Sequence, residues 1–360
     1  MINVLHSELE NNIGGIETFL INLTKSINDK DIHFDFLMRG SNSYIEKEIL
    51  STGATVYKVP NNLLKYYFFI KKLLLKKQYD YVHVHKNSSA NILLPMMVKK
   101  YSNARLIVHS HNTNPSNGSK FVIFLHNFNK KYLIRLSDYR FACSDKAAIW
   151  MFGNNYKALD VNIIKNGIIA RNYDFNSKTR TKIREYLDIK NDFVIGNIGA
   201  FRKQKNHQFL IKMFSKLSIP NKKLVLVGVG PLEEQIKQQA KELGIQNKVL
   251  FLGKREDVPN LLQAFDVFVM PSLWEGLSVS AIEAQASGLP LLLSDKVSKL
   301  TRLSNDVKFL PLDDLAAWDN SLIKINDNFI RRSTLKTIIS QGYDITNSAR
   351  ILTNFYKVKK

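Results

Sequence analysis

The stretch MPSLWEGLSVSAIEAQASGLP, residues 270–290, decides the fold. An apolar run over 266–270 reads as a buried strand, PSLWEG as a turn, and the spacing from about residue 277 onward as a helix. Glu275 stands before the helix N-terminus and Glu283 eight residues on, about 12 Å further along at ~1.5 Å per residue. Two carboxylates that far apart cannot act as one acid/base pair on a single bond. They can hold hydroxyls at two ends of a long polar ligand, with the helix N-terminus between them facing a phosphate. A ligand made of sugar, diphosphate and ribose has that length and polarity.

Outward from this unit, short β-like runs alternate with helical patterns. They fall at 2–6, 34–38, 55–59, 81–85 and 105–110, then at 194–199, 223–227, 248–252, 267–270 and 291–293. Strands alternating with helices predict parallel, doubly wound α/β sheets covered on both faces. A polar stretch over 171–191, its second half helix-like, separates the two series and puts the domain boundary near residue 170. The expected organisation is a domain over 1–170, a second over 171–345, and a C-terminal helix over 346–360 packing back on the first. A length of 360 residues suits two such domains. Ligands of open parallel sheets bind beyond the carboxyl ends of the strands, so two facing sheets would make one cleft.

The composition is that of a globular protein, 45% hydrophobic and 23% charged, but the formal charge is +21. Such an excess points to phosphate-bearing partners or to a Lys-rich solvated surface. Residues 61–140 hold 14 basic and 2 acidic side chains, more than half of the excess. Within them, NLLKYYFFIKKLLLKKQ (62–78) as a helix groups Leu63, Tyr67, Ile70 and Leu74 on one face and Lys65, Lys72 and Lys76 on the other. FVIFLHNFNKKYLIRL (121–136) mixes Phe121, Phe124 and Phe128 with Lys130, Lys131 and Arg135. Basic helices with aromatic flanks suit the headgroup layer of an anionic membrane. The single cysteine, Cys143, excludes an internal disulfide and fits a reducing compartment. The N-terminus does not read as a signal peptide and no apolar run is long enough to span a bilayer. The expected location is cytoplasmic, peripheral on the inner face of the plasma membrane.

Three more loops follow strands. NNIGGIETFL (11–20) places Gly14 and Gly15 where a helix starts, free N–H groups toward a phosphate or sugar hydroxyl. IGAFRKQKNH (198–207) projects Arg202, Lys203 and Lys205 past a strand end, where they suit a diphosphate. GVGPLE (228–233) approaches the dinucleotide fingerprint, but its third glycine is Glu233 and it lies outside a first βαβ unit, which argues against a dehydrogenase.

With these residues in hand, the chain resembles the retaining glycosyltransferases of family 4, with the GT-B fold of two Rossmann-like domains facing across a cleft. EGLSVSAIEAQASGLP carries the Glu275-x7-Glu283 pattern, supported in order by Gly14-Gly15, Asn166-Gly167-Ile168, QKNH at 204–207 and LVGVGP at 226–231. QKNH, HSHN at 109–112 and GGIE at 14–17 are most similar to bacterial capsule and exopolysaccharide transferases. The resemblance implies that Glu275 contacts donor sugar hydroxyls and Glu283 the ribose. Backbone N–H groups of Gly276, Leu277 and Ser278 would hold the diphosphate together with Lys205, and Gly14 and Gly15 would face it from the other domain. Main chain at Gly253, Lys254 and Arg255 would take the base. Family members commonly carry Arg directly after the glycine equivalent to Gly199; Ala200 stands there instead, and Arg202 is the candidate to supply the charge.

His111 corresponds to the histidine such enzymes place near the transferred sugar, and His109, two residues back, points to the same side, deeper in the cleft or core. A hydrogen-bonded histidine closing a strand is the competing reading, as it is for His83 and His85. Glu17 is placed to touch the acceptor or the helix N-terminus. Asp29-Lys-Asp31 matches a metal-binding triplet only by coincidence; GT-B enzymes neutralise the leaving diphosphate with helix ends and cations, so no metal and no cofactor is expected. No second carboxylate is placed for a double displacement, which suits a front-face reaction. The implied partners are a UDP- or GDP-linked sugar, a lipid-linked saccharide acceptor and an anionic membrane, not nucleic acid. The rival readings are a catalytically degenerate partner subunit, motivated by Ala200, and a nucleic-acid-binding protein drawing on the charge.

Overall fold

The computed structural model describes residues 1–10, 14–41, 43–112 and 119–358. Residues 11–13 of the first glycine loop, and Lys359 and Lys360 of the C-terminal segment, lie outside them. The chain divides into two compact units, Met1–Gly167 with Asp344–Lys360, and Ile168–Tyr343. The chain thus crosses after Gly167 and returns after Tyr343, within a few residues of the sequence-based boundaries at 170 and 345.

The first unit runs β1 (Ile2–Leu9), α1 (Gly15–Ser26), β2 (Ile32–Arg39), α2 (Ser43–Leu50), β3 (Thr55–Val59), α3 (Leu63–Lys76), β4 (Tyr81–Lys86), α4 (Leu93–Tyr101), β5 (Arg105–Ser110), α5 (Lys120–Leu136), β6 (Tyr139–Ala142), α6 (Asp145–Phe152) and β7 (Val161–Ile163). Its sheet has the order β3-β2-β1-β4-β5-β6-β7, with every pair parallel. The strand order reverses between β1 and β4, the point where open sheets of this kind take ligands.

The second unit runs α7 (Ser177–Tyr186), β8 (Phe193–Ile198), α8 (His207–Lys216), β9 (Lys222–Val227), α9 (Glu233–Glu242), β10 (Val249–Phe251), α10 (Val258–Ala264), β11 (Val267–Met270), α11 (Val279–Ala286), β12 (Leu291–Ser294), β13 (Val307–Leu310), α12 (Leu315–Asn328) and α13 (Leu335–Ser340). Its parallel sheet has the order β10-β9-β8-β11-β12-β13 and reverses between β8 and β11. Apolar clusters pack on both faces of this sheet, one holding Phe268 and Met270 and the other Val267 and Val269. Alternate residues of one strand thus feed two cores, which is why β11 reads as an unbroken apolar run.

The last helix, α14 (Ile345–Val358), belongs to the first unit and lies beside α1. Tyr356 on it is fully buried, and Lys357 pairs with Asp29 at 2.6 Å and Asp31 at 3.5 Å. That ammonium engages both carboxylates of the Asp-x-Asp triplet.

Helix α3 corrects one expectation. Asn62 caps it, accepting from the N–H groups of Leu64 and Lys65, but the buried face is Tyr66, Ile70 and Leu74. Leu63 is 69% exposed, and Leu64, Phe68 and Leu75 are exposed with it. The helix is rotated so that its longest i, i+4 apolar row faces the sheet. Strands β6, β7 and β13 were not apparent in the sequence, because YRFA, VNI and VKFL are too short and too mixed to read as apolar runs.

Candidate active site

The loops after β8 and β11 leave the second sheet side by side at its point of reversal. Leu273 N–H donates to Gln204 O at 2.8 Å, and the Asn206 amide donates to Pro271 O at 3.1 Å. Asn206 adopts a left-handed conformation, φ 55°, which turns the chain into α8. These bonds lock the loops and bring two side chains together: Lys205 Nζ lies 2.6 Å from Glu275 Oε2. The pair is largely shielded, with side-chain exposures of 17% and 15%. Gln204, the first residue of the QKNH motif and one given no role from the sequence, donates to Trp274 O at 3.0 Å and reaches Glu275 Oε2 at 3.4 Å. Among the described residues, Glu275 Oε1 accepts no hydrogen bond.

Close backbone approach explains the glycines here. A Cβ on Gly228, at φ 138°, would come within 2.3 Å of Gly199 O, and one on Gly199 would press on the Lys205 stem at 3.3 Å. Helix α11 begins at Val279, just past the expected start, with Ser278 as N-cap. The Ser278 hydroxyl faces the Ser280 hydroxyl at 3.1 Å rather than capping a helix N–H. The positive end of α11 is therefore left to an anion.

Glu283 follows about one turn into α11, buried within the unit. The Tyr173 hydroxyl donates to its Oε1 at 2.7 Å. Burial pushes the Glu283 carboxyl up to about 7, against the pull of that hydroxyl. Tyr173 has no signal in the sequence, being brought in by the short turn that follows the domain crossing. Gly253, at φ 63°, accepts from Gly228 N–H at 2.8 Å and turns the chain past β10. Beyond it Lys254 is exposed, while Arg255 is held in a two-pronged pair with Asp257, both bonds 2.7 Å. That leaves the main chain, not the Arg255 guanidinium, for contact with a base. Arg202 is exposed and makes no side-chain hydrogen bond among the described residues.

A separate pocket of about 360 Å³ in this unit is lined by Arg180, Arg184 and Arg331. Its guanidiniums are spent on main-chain carbonyls and on the Asp266 carboxylate: Arg331 on the carbonyls of Leu262, Gln263, Phe265 and Ser287, and Arg180 and Arg184 on the carbonyls of residues 263–265, 190 and 192 and on both Asp266 oxygens. The pocket is a clamp on the C-terminus of α10, not an anion site.

In the first unit, Gly14 and Gly15 are exposed at the start of α1. Glu17 closes this loop: its Oε2 accepts from Gly14 N–H at 3.0 Å and its Oε1 from Glu10 N–H at 3.1 Å. Of its two expected partners, the helix N-terminus is the one it holds. His111 lies at the end of β5, with Nδ1 3.0 Å from Asn166 Oδ1 and Nε2 2.8 Å from His85 Nδ1. Both nitrogens are therefore engaged, and burial holds the ring neutral, its pKa lowered to about 4. Of the two places expected for His109, the cleft or the core, it takes the core: it is fully buried, its ring tilted against that of His111 at 4.1 Å between centroids, with Phe19 and Phe141 edge-on to it.

A family profile described as "Glycosyltransferase Family 4" matches residues 13–171, and one described as "Glycosyl transferases group 1" matches residues 179–308. The chain is 30% identical to the Bacillus subtilis (strain 168) protein named glycosyltransferase EpsF, over 99% of this chain and 96% of that one. It is 26% identical to an Escherichia coli UDP-Gal:alpha-D-GlcNAc-diphosphoundecaprenol alpha-1,3-galactosyltransferase, over 80% and 76%. Among solved structures, the Anabaena protein Alr3699/HepE in complex with UDP-glucose superposes with a TM-score of 0.79 at 19% identity, covering 99% of this chain and all of that one.

Proposed function

The chain belongs to glycosyltransferase family 4 and has the GT-B fold, and from that premise we propose that it transfers a hexose-type sugar, with retention, from a nucleoside diphosphate sugar to a lipid-linked saccharide. The observation that carries this reading is the Lys205–Glu275 pair beside the open N-terminus of α11, with Glu283 eight residues further on.

As the glycosidic bond to the phosphate breaks, negative charge grows on the leaving diphosphate. Lys205 and the N–H groups from Gly276 to Ser278 stand ready to receive it without reorganisation, which lowers the barrier. Glu275 takes hydroxyls of the donor sugar through its unoccupied Oε1, and Glu283 takes the ribose. Ordered donor and acceptor then react on one face of the sugar. No metal is needed at the diphosphate in this scheme. In the first unit His111 acts as a positioning group, because neither ring nitrogen is free to carry a proton to substrate.

The acceptor side of the proposal rests on α5. Phe121, Phe124 and Phe128 are 58–67% exposed and Tyr132 49% exposed, in a row along the helix, beside exposed Lys131 and Arg135. Such a stripe suits insertion among anionic headgroups, where a lipid-linked acceptor would be presented. No helix among the described residues is long and apolar enough to cross a membrane. The name of the Escherichia coli relative, a galactosyltransferase acting on a GlcNAc-diphosphoundecaprenol, supports a lipid-linked saccharide as the acceptor here. Incubating the protein with membranes and a panel of UDP-, GDP- and ADP-sugars, then weighing the lipid products and assigning the new anomeric centre, tests the proposal. Inverted configuration, or no product with any donor, contradicts it.

A further inference from the structure

Strands β1, β4 and β5 set five histidines on one face of the first sheet, at its point of reversal. Alternate residues of a strand share a face, so His83 and His85 stand together, as do His109 and His111. Register places His6 beside His83 and His85 beside His109. His6, His83, His85 and His109 are all buried, at 8% exposure or less. A buried imidazole needs a partner for each nitrogen or an explanation for its absence.

The bonds of this cluster form a directed chain. His111 faces Asn166 Oδ1 through Nδ1 and so carries its proton there, which makes its Nε2 an acceptor. His85 donates to that nitrogen from Nδ1, leaving a lone pair on Nε2, and that lone pair faces His6 Nδ1 at 2.9 Å. His83 is bound through Nδ1 to the Tyr356 hydroxyl at 2.7 Å, and its Nε2, fully buried, has no partner among the described residues.

We propose that His6, His83 and His85 form a binding site for a divalent transition-metal ion of the Zn²⁺ class. One ring nitrogen from each lies within 4.8 Å of the others. Tetrahedral ligation at about 2.0–2.1 Å needs them about 3.3 Å apart, a closure that small rotations of the three rings supply. A water fills the fourth position. Outer partners that fix ring orientation are already in place, Tyr356 behind His83 and the His111–Asn166 chain behind His85. Three neutral nitrogens and no carboxylate select Zn²⁺, Co²⁺, Ni²⁺ or Cu²⁺ over Mg²⁺, Mn²⁺ or Ca²⁺. The ion ties β1 and β4 to α14 through Tyr356 and is structural, separate from the donor diphosphate. His85, His109 and His111 form a second convergent set, but among the described residues no side chain holds the His109 ring as Tyr356 holds His83. Since both sets use His85, only one can be filled.

The test uses the tag-free, full-length protein, stripped with a chelator and titrated with Co²⁺. The expected result is one equivalent bound, with the intense visible absorption of tetrahedral Co²⁺, displaced by Zn²⁺ but not by Mg²⁺. His83→Gln and His6→Gln abolish the band, and His109→Gln keeps it. Tyr356→Phe retains the fold and weakens affinity about 10- to 100-fold, which covers the case in which a histidine variant fails to fold. Absence of a stoichiometric band in the folded wild type overturns the site. So does a band lost in His109→Gln and kept in His83→Gln, or equal competition by Mg²⁺.

Discussion

Lys205 Nζ stands 2.6 Å from Glu275 Oε2, joining the loops that leave β8 and β11 at the point where the second sheet reverses. In the proposed reaction each charge serves a ligand that separates the pair: the ammonium the diphosphate, the carboxylate the sugar. Lys205→Ala is expected to lower kcat/KM roughly 10²- to 10³-fold, the usual loss for one preorganised charge in such a site. It also strands Glu275 in a shielded position. A double variant with Glu275→Ala should therefore lose less stability than the sum of the single losses, as read by urea unfolding of all four proteins.

Glu283 gives a pH dependence whose direction is fixed by its burial. In the folded protein its carboxyl is raised from the ordinary 4.5 to about 7. The folded state therefore binds the extra proton through that window, and the stability it contributes is lost as pH rises toward 7 and beyond. The full effect is about 3 kcal/mol. Relative to Glu283→Gln, the donor-free protein should thus lose thermal stability between pH 5 and pH 8 in buffers of about that range. A parallel profile for the two proteins contradicts this.

Removing the Tyr173 hydroxyl takes away the hydrogen bond that favours the Glu283 carboxylate. Tyr173→Phe should move the midpoint of donor binding to higher pH, because the ribose hydroxyls are best accepted by the ionised group. Isothermal titration with UDP across a pH series reads the shift. An unchanged midpoint would separate Glu283 from the ribose.

The aromatic stripe on α5 is exposed, so its replacement should leave the fold alone. Phe121→Ser, Phe124→Ser and Phe128→Ser together are expected to weaken binding to phosphatidylglycerol vesicles by at least about tenfold, at roughly 1 kcal/mol or more per inserted ring. The melting temperature should hold within a few degrees, as for most surface changes. Vesicle co-sedimentation at low and high salt, beside thermal unfolding, separates the two effects.

Gly228 tests the packing beneath the site. Any side chain there meets Gly199 O and a backbone at φ 138°. Gly228→Ala should cost several kcal/mol, combining a steric clash with an unfavourable φ, and should reduce donor affinity by displacing the Lys205 loop. Chemical denaturation checks the first part and donor titration the second.

The doubly wound parallel architecture could be read from the sequence because buried strands carry continuous apolar runs, as VFVM does in β11. Short mixed strands such as β7, and the rotation of α3 that exposes Leu63, depend on packing that no single window encodes. Glu275 and Lys205 are legible as charges beyond strand ends, and Glu283 as a residue of the helix that follows, because spacing along one chain places them there. Tyr173 carries no such signal, and although Asn166 and Gln204 stand in motifs quoted from the sequence, their partners do not follow from it, since each is reached only once distant loops meet. The choice between cleft and core for His109 is not legible for a related reason: two residues along a strand fix the face but not the depth, and the neighbouring strand fills that face with His83 and His85.

The most direct test of the central claim compares the wild type with Glu275→Gln, which keeps the shape of the side chain and removes its charge. Each protein is given its labelled nucleoside diphosphate sugar and membranes carrying the lipid-linked acceptor, and the rate at which label enters the lipid fraction is measured. The account predicts a loss of at least about 100-fold with an unchanged melting temperature. A variant that transfers sugar at close to the wild-type rate would contradict it.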